Sequence, residues 1–317
     1  VVPHQSLGAE LSDDPHDRTR IFGGRHVAWI LGSFGALAGM SLIIESDGTR
    51  LMASRVSIFI ILVSTVFTVW MVARVKERPE YQGRGSSNPF RAYRDVFRNR
   101  HARILLAVFL VESLGAATIN ALTVYVAEYV VGTPRLAPLY ILLYMIPSAA
   151  AVPFWVWVSG RLGKKYIWTT STFFSALGFG GMFLLQEGDV IVISVLAVLL
   201  GFFGSAGAVV APSIQADVID FDELETGDRK EGAYFAAWNF VYKFGVGVTL
   251  MLTGFVLEAS GFVPNKAQGE EALFALKALY ALFPLCCYLI ATFLLTRFGL
   301  DEAEHARIRR ELDARRA

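Results

Sequence analysis
The chain has 317 residues, 54% hydrophobic and 18% charged, with a mean hydropathy of +0.48 and a formal net charge of +1 at pH 7. That balance excludes an ordinary soluble domain and points to an all-α, multi-pass membrane protein. The total charge is uninformative by itself, though its distribution along the chain is not; nucleic acid is not expected as a partner, and the expected surroundings are a lipid bilayer.

The opening residues carry no initiator Met and no charged segment ahead of a cleavable apolar one, so the sequence reads as a fragment that opens mid-protein. Eight apolar stretches follow, each long enough to cross about 30 Å of hydrocarbon as a helix of about 20 residues. They fall near 26–44, 56–74, 104–131, 137–159, 166–186, 189–213, 232–259 and 272–296. Gly32, Gly35 and Gly39 line the first stretch, and Gly201, Gly204 and Gly207 the sixth, at spacings that let helices approach closely. Pro147 and Pro153 in the fourth and Pro212 in the sixth predict bends. Cys286 and Cys287 are adjacent inside the eighth, where they pack and staple nothing.

Two polar links are longer than turns, 75–103 and 214–231. The first holds Pro79, Gly83, Gly85 and Pro89 and then a basic amphipathic segment, which suits a hinge between two bundles and equally a loop resting on anionic headgroups. The second gathers Asp217, Asp220, Asp222, Glu223, Glu225 and Asp228 before Arg229 and Lys230. Its carboxylates do not spell the wrap of hard oxygen ligands that a divalent metal needs, so no metal site is expected. They suit either a solvated loop or a cytoplasmic gate, in which Asp217 and Asp220 pair with Arg161, Lys164 and Lys165 as a network. Assigning Lys and Arg to alternate sides puts twenty-three on one side and four, Arg50, Arg55, Arg135 and Lys266, on the other. The positive-inside rule then places both termini and both links in the cytoplasm.

Ionisable residues inside the apolar stretches are costly and therefore informative. Lys243 lies within the mostly apolar run from Ala233 to Val256, with Asn239 one turn earlier on the same face and Trp238 beside it. No acid on that helix is within reach, so either Glu112 on the third stretch or an acid elsewhere is expected to answer it; a structural pair that locks helices is the alternative. Glu112, with Tyr125 further along its stretch, reads either as a cavity carboxylate able to carry a proton or as a side chain leaning toward headgroups. Lys277 is close enough to a helix start to snorkel. None of the five histidines has metal-pair spacing and no Ser, His and Asp arrangement suggests hydrolysis, so no enzyme activity is expected.

Several separated motifs resemble the glycoside, pentoside and hexuronide cation symporter family of the major facilitator superfamily, the melibiose permease-like group. They are VVPHQSLGAELSDDPHDRTRIFGGR at the start, NPFRAYRDVFRNR and VWVSGRLGKK in the middle, and DVIDFDELETGDRKEG followed by Lys243. The resemblance covers essentially the whole chain. It implies a fold of two six-helix halves, of which this sequence holds the end of helix four and helices five to twelve: residues 1–75 as the remainder of the first bundle, 76–103 as the central cytoplasmic loop, 104–296 as the second bundle, and 297–317 as a cytoplasmic tail.

By the same resemblance, Lys243 matches a lysine near the cation and substrate region, Arg25 an arginine near the cytoplasmic side of the sugar cavity, and Trp238 and Asn239 cavity-lining positions. Val1 stands about where melibiose permease has a sugar-binding aspartate, so a melibiose-like substrate is not implied. The expected function is cation-coupled symport of a small polar solute, a sugar or glycoside, by alternating access in a plasma or inner membrane, by a monomer with Na⁺ or H⁺ as coupling ion and no other cofactor. A transporter of lysophospholipid or another amphiphile is the alternative; a non-transporting membrane sensor is a third reading. The 317 residues alone, with a half-built first bundle, are expected not to transport.

Overall fold
A computed structural model describes residues 2–12, 14–44, 46, 48–75 and 89–316. The described elements are helical: α1 (Val2–Glu10), α2 (Pro15–Ile44), α3 (Thr49–Arg74), α4 (Pro89–Arg98), α5 (Arg100–Tyr125), α6 (Ala137–Ala150), α7 (Val152–Leu162), α8 (Lys164–Met182), α9 (Val190–Thr226), α10 (Glu231–Ala259), α11 (Glu270–Lys277), α12 (Phe283–Arg297) and α13 (Glu302–Arg316). π-helical turns at Val126–Val130 and Ala278–Leu282 extend α5 and join α11 to α12.

Six of these rods are long and apolar enough to cross a membrane, and the bent pair α6–α7 makes a seventh. The remaining predicted stretch, the fifth, is α8, whose Lys164, Lys165 and Thr169–Thr172 polar run leave it shorter and less apolar than the others, although it packs between α9 and α12. The predicted bend in the fourth stretch is present, 46° between α6 and α7. Pro147 removes a backbone donor just before it and Pro153 opens the helix just after.

The link expected over 214–231 is mostly not a link. α9 continues through Thr226, and Gly227 at φ +76° caps it in the left-handed conformation that glycine adopts without cost. At about 1.5 Å per residue the helix is roughly 55 Å long, well beyond the ~30 Å hydrocarbon layer. Its acidic C-terminal turns therefore project past the bilayer on the basic side. The expected hinge at Pro79, Gly83 and Gly85 lies outside the described residues, whereas the segment after it forms α4 and the first turn of α5. Asn99 caps α5, its side chain accepting from the backbone N–H of His101 (2.9 Å) and Ala102 (3.2 Å).

Helices α5 to α12 form one bundle against which α1 and α2 pack, α1 on α10 and α2 on α7 and α9. One core cluster near the basic end is built on Phe22, Leu105, Trp168, Ile214, Phe235 and Leu295; a second at the opposite end is built on Leu122, Tyr140, Phe179, Leu276 and Tyr280. Among the described residues α3 buries none of its side chains, and it packs chiefly on α2. The tail is a docked helix, with Ile308 and Leu312 of α13 buried in the first cluster.

Candidate functional site
A cavity of about 280 Å³ lies between the α1–α2 unit and the bundle. Its aromatic wall is the stack of Phe109 on Trp238, ring centroids 3.8 Å apart and planes 20° from parallel. Its polar wall comes from α5 and α8. Glu112 Oε1 accepts from Trp168 Nε1 at 3.0 Å and from Thr172 Oγ1 at 2.9 Å. Trp168 and Thr172 are four apart on α8 and so share a face. Room for the indole comes from Gly207, where a Cβ would lie 3.0 Å from Trp168 Nε1. Arg25 of α2 and Gln5 of α1 also line the cavity.

Of the residues singled out in the sequence, Arg25, Glu112 and Trp238 thus line one cavity, and three others do not. Glu112 is held by α8 and does not lean to the headgroups. Asn239 turns away to α1, donating to Gln5 Oε1 at 2.6 Å, so it stands behind a lining residue. Lys243 is exposed beside Phe240 and Phe244, away from Glu112's hydrogen-bond partners; the helix face that carries it points outward from the described bundle. Tyr125 sits at the far end against Tyr129 and Phe262. Lys277 lies over the Phe183 ring at 5.3 Å.

At the basic end four acids of α9, Asp217, Asp220, Asp222 and Glu223, are buried and gather basic side chains from four other segments. Arg18 of α2 donates to Asp220 Oδ2 at 2.7 Å and reaches Asp217 Oδ1 at 3.4 Å. Lys164 of α8 pairs with Asp217, and Arg229 pairs with Asp220 (2.9 Å), Glu223 (2.6 Å) and Glu231. His305 of α13 sits 3.0 Å from Asp220 Oδ2, and Lys230 bridges Asp222 (2.9 Å) and Asp95 of α4 (3.2 Å). Burial opposes the Arg229 charge, but Asp220, Glu231 and Glu223 outweigh it and hold the guanidinium ionised above its ordinary range.

The solvated-loop alternative for these acids does not hold, since Asp217, Asp220, Asp222 and Glu223 are each at most 5% exposed. Of the expected cations only Lys164 is in the network. Arg161 is exposed and stacks over Trp157 at 4.1 Å, while Lys165 lines a neighbouring cavity of about 360 Å³ without an ion pair among the described residues. Asp217, Asp220 and His305 approach closely enough to share an ion. Arg18, Lys164 and Arg229 already answer those carboxylates, so the cluster fits side-chain cations better than a metal.

Sequence reading missed Gln5, Phe109, Trp168 and Thr172 in the cavity and Arg18, Arg229, Lys230, Asp95 and His305 as network members. The pair Trp168 and Thr172 had a usable signal, two hydrogen-bond donors one turn apart in an apolar stretch. His305 had none, because its partner is 85 residues away.

The family model described as MFS/sugar transport protein matches residues 1–302. An uncharacterized symporter of Synechocystis is 29% identical over 69% of the chain and 42% of its own length. The isoprimeverose transporter of Lactiplantibacillus pentosus is 25% identical over 96% of the chain and 64% of its own length. The chain therefore spans less than two thirds of the length of these two relatives. A crystal structure of the Escherichia coli fucose:proton symporter superposes with a TM-score of 0.66 at 15% identity, covering 94% of the chain and 73% of that structure. At that identity the likeness speaks for the fold alone.

Proposed function
The chain belongs to the MFS/sugar transport protein family, and from that premise we propose that it is the substrate-binding and gating part of a cation-coupled symporter for a small sugar or glycoside. Family and fold are those of membrane transporters and not of enzymes. The observation that carries the reading is the cavity itself. An aromatic stack, Phe109 on Trp238, a carboxylate anchored by two donors and the Arg25 guanidinium line one cavity. A sugar ring offers an apolar face to an aromatic platform and hydroxyls to charged and polar groups, and both kinds of surface are here. At about 280 Å³ the space is at the lower edge of the ~300–1,000 Å³ usual for small-molecule sites, which suits one or two sugar rings better than an acyl tail.

In this reading residues 1–75 belong to one bundle and 104–296 to the other, both termini face the cytoplasm, and the protein works as a monomer in a plasma or inner membrane. The strong basic bias of one side supports the orientation. Arg25, Glu112 and Trp238 meet the solute. Asp217, Asp220, Lys164 and Arg18 form the cytoplasmic gate, because Arg18 comes from the first unit and the rest from the second. Lys243 and Asn239 act outside the contact shell, Asn239 by orienting Gln5.

The test is uptake by proteoliposomes carrying the full-length protein, with labelled isoprimeverose, a panel of labelled mono- and disaccharides, and a labelled lysophospholipid, each under an inward Na⁺ or H⁺ gradient. We expect gradient-driven uptake of at least one sugar. Loss of the platform in Trp238→Ala should weaken it about tenfold, the size of ~1.4 kcal/mol. Uptake of the lysophospholipid alone would replace the sugar reading, and no gradient-driven uptake of any solute would overturn symport.

A further inference from the structure
Helix α4 carries chemistry that the cavity and the gate do not use. Its Ala92 and Val96, four residues apart, share a face and are buried, and the helix packs on α5 and α10. Two further contacts fix its rotation. Lys230 bridges Asp95 at 3.2 Å and Asp222 at 2.9 Å, and Asn99, just past the helix, donates to the Tyr234 hydroxyl at 2.9 Å. The opposite half of α4 is thereby turned outward, and it is aromatic and basic. Phe90, Tyr93 and Phe97 are 84%, 40% and 57% exposed, at the spacings of three and four that make one stripe. Arg94 runs along the edge of that stripe, four residues from Phe90 and three from Phe97, and Arg98 follows it one turn on. The guanidinium groups of Arg94, Arg98 and Arg103, the last in the first turn of α5, are exposed and hold no ion pair or hydrogen bond among the described residues.

The level of α4 against the bilayer decides what can cover such a face. The span that follows it, Arg100–Val130, has 31 residues, about 46 Å of helix at ~1.5 Å per residue against ~30 Å of hydrocarbon. Its arginine-bearing first turn therefore lies among the headgroups of the basic side, and α4 lies with it. Aromatic rings beside arginines at that depth are the composition of a helix seated in the membrane interface. We propose that the outer face of α4 is a docking surface for anionic phospholipid of the basic-side leaflet. Tyr93 and Phe97 sit at the boundary between headgroups and acyl chains, and Arg94, Arg98 and Arg103 meet the phosphates. Charge complementarity selects the anionic lipid, because three guanidinium groups point outward while Asp95, the acid of this helix, is engaged by Lys230. The surface is independent of the solute and of the coupling ion.

The test uses the full-length protein carrying a photoreactive benzophenone amino acid at position 97. It is reconstituted in vesicles of phosphatidylcholine and phosphatidylglycerol in equal parts, illuminated, and its adducts are identified by mass spectrometry. The expected adduct is phospholipid, with phosphatidylglycerol favoured over phosphatidylcholine. Combining Arg94→Gln, Arg98→Gln and Arg103→Gln should lower that preference about tenfold or more, since each arginine near an anionic surface is worth up to about fivefold. High salt should lower it in the protein without those three substitutions, which removes folding of the variant as an explanation. An adduct to another segment of the protein would make the stripe a protein contact and overturn the proposal, as would the absence of any lipid adduct. Equal labelling by the two lipids, or a preference that survives both the substitutions and the salt, would overturn it too. None of these outcomes depends on uptake, so the result stands apart from the test of the proposed function.

Discussion
Asp220 shows what burial does to a single residue in this chain. It is fully buried, and Arg18, Arg229 and His305 all direct hydrogen bonds or charge at its two oxygens. Such a group adds little net stability over an apolar equivalent, yet removing one partner strands the others in low dielectric. Asp220→Asn should therefore destabilise the protein by about 3–5 kcal/mol. Arg20→Ala, which breaks only the exposed 3.8 Å pair with Asp17, should cost at most about 0.5 kcal/mol. Thermal unfolding of both variants in detergent checks the contrast, and equal losses would show that the hub carries no special weight. Burial of Asp220 could not be read from its neighbours in sequence, because an acid flanked by acids looks solvated until the cations from α2, α13 and the 229–230 turn are in place.

At the level of elements, the two glycine stripes divide. Gly32 and Gly35 of α2 face open space within 4 Å, whereas a Cβ on Gly201 would lie 2.1 Å from the Tyr144 carbonyl oxygen of α6. The spacing was legible in both helices, but the partner was not. Gly201→Ala must push two helix backbones apart and should lower stability by about 1–3 kcal/mol, while Gly32→Ala should be neutral or slightly favourable, since alanine is the better helix former. Comparing their melting temperatures decides between contact and composition as the role of the stripe. The same distinction holds for α13. Its charge-rich sequence reads as a solvated tail, yet Ile308 and Leu312 are buried and Glu302 accepts from the Lys164 backbone N–H at 2.6 Å. Its exposed face keeps the ordinary surface pattern: hydrogen bonds from Arg307 hold Glu304 below the usual carboxylate range.

Across the whole molecule, α2 is tied to the bundle at two levels, by Arg18 on Asp217 and Asp220 at the basic end and by Arg25 on the rim of the cavity. If the ends of α2 and α9 separate when the cavity opens to that side, the Arg18 contacts must break together with the Thr19–Ser213 hydrogen bond (3.1 Å). Arg229 at 2.9 Å and Arg309 of α13 at 3.8 Å are then left beside Asp220 to keep its charge answered, with His305 at 3.0 Å. Spin labels placed near the basic ends of α2 and α9 should therefore report a longer distance in Arg18→Ala than in the unsubstituted protein. An unchanged distance distribution would mean that Arg18 does not hold this end closed.

The sequence by itself determined the membrane class, most of the rods, the bend at Pro147 and Pro153, and the asymmetry of charge between the two sides. These follow from composition and local periodicity, which act within one helix length. It also isolated Glu112 as a candidate, because a charge in an apolar run stands out without any partner in view, whereas Arg25 and Trp238 became candidates through the family resemblance. Only the tertiary structure decided which of the candidates share a cavity, that Lys243 and Tyr125 lie outside it, and that α9 runs on to bury its acids. Those outcomes depend on helix rotation and on contacts up to some two hundred residues apart, such as Arg18 with Asp220. A helix's own sequence sets its period, but the packing of its neighbours sets the direction in which each face points.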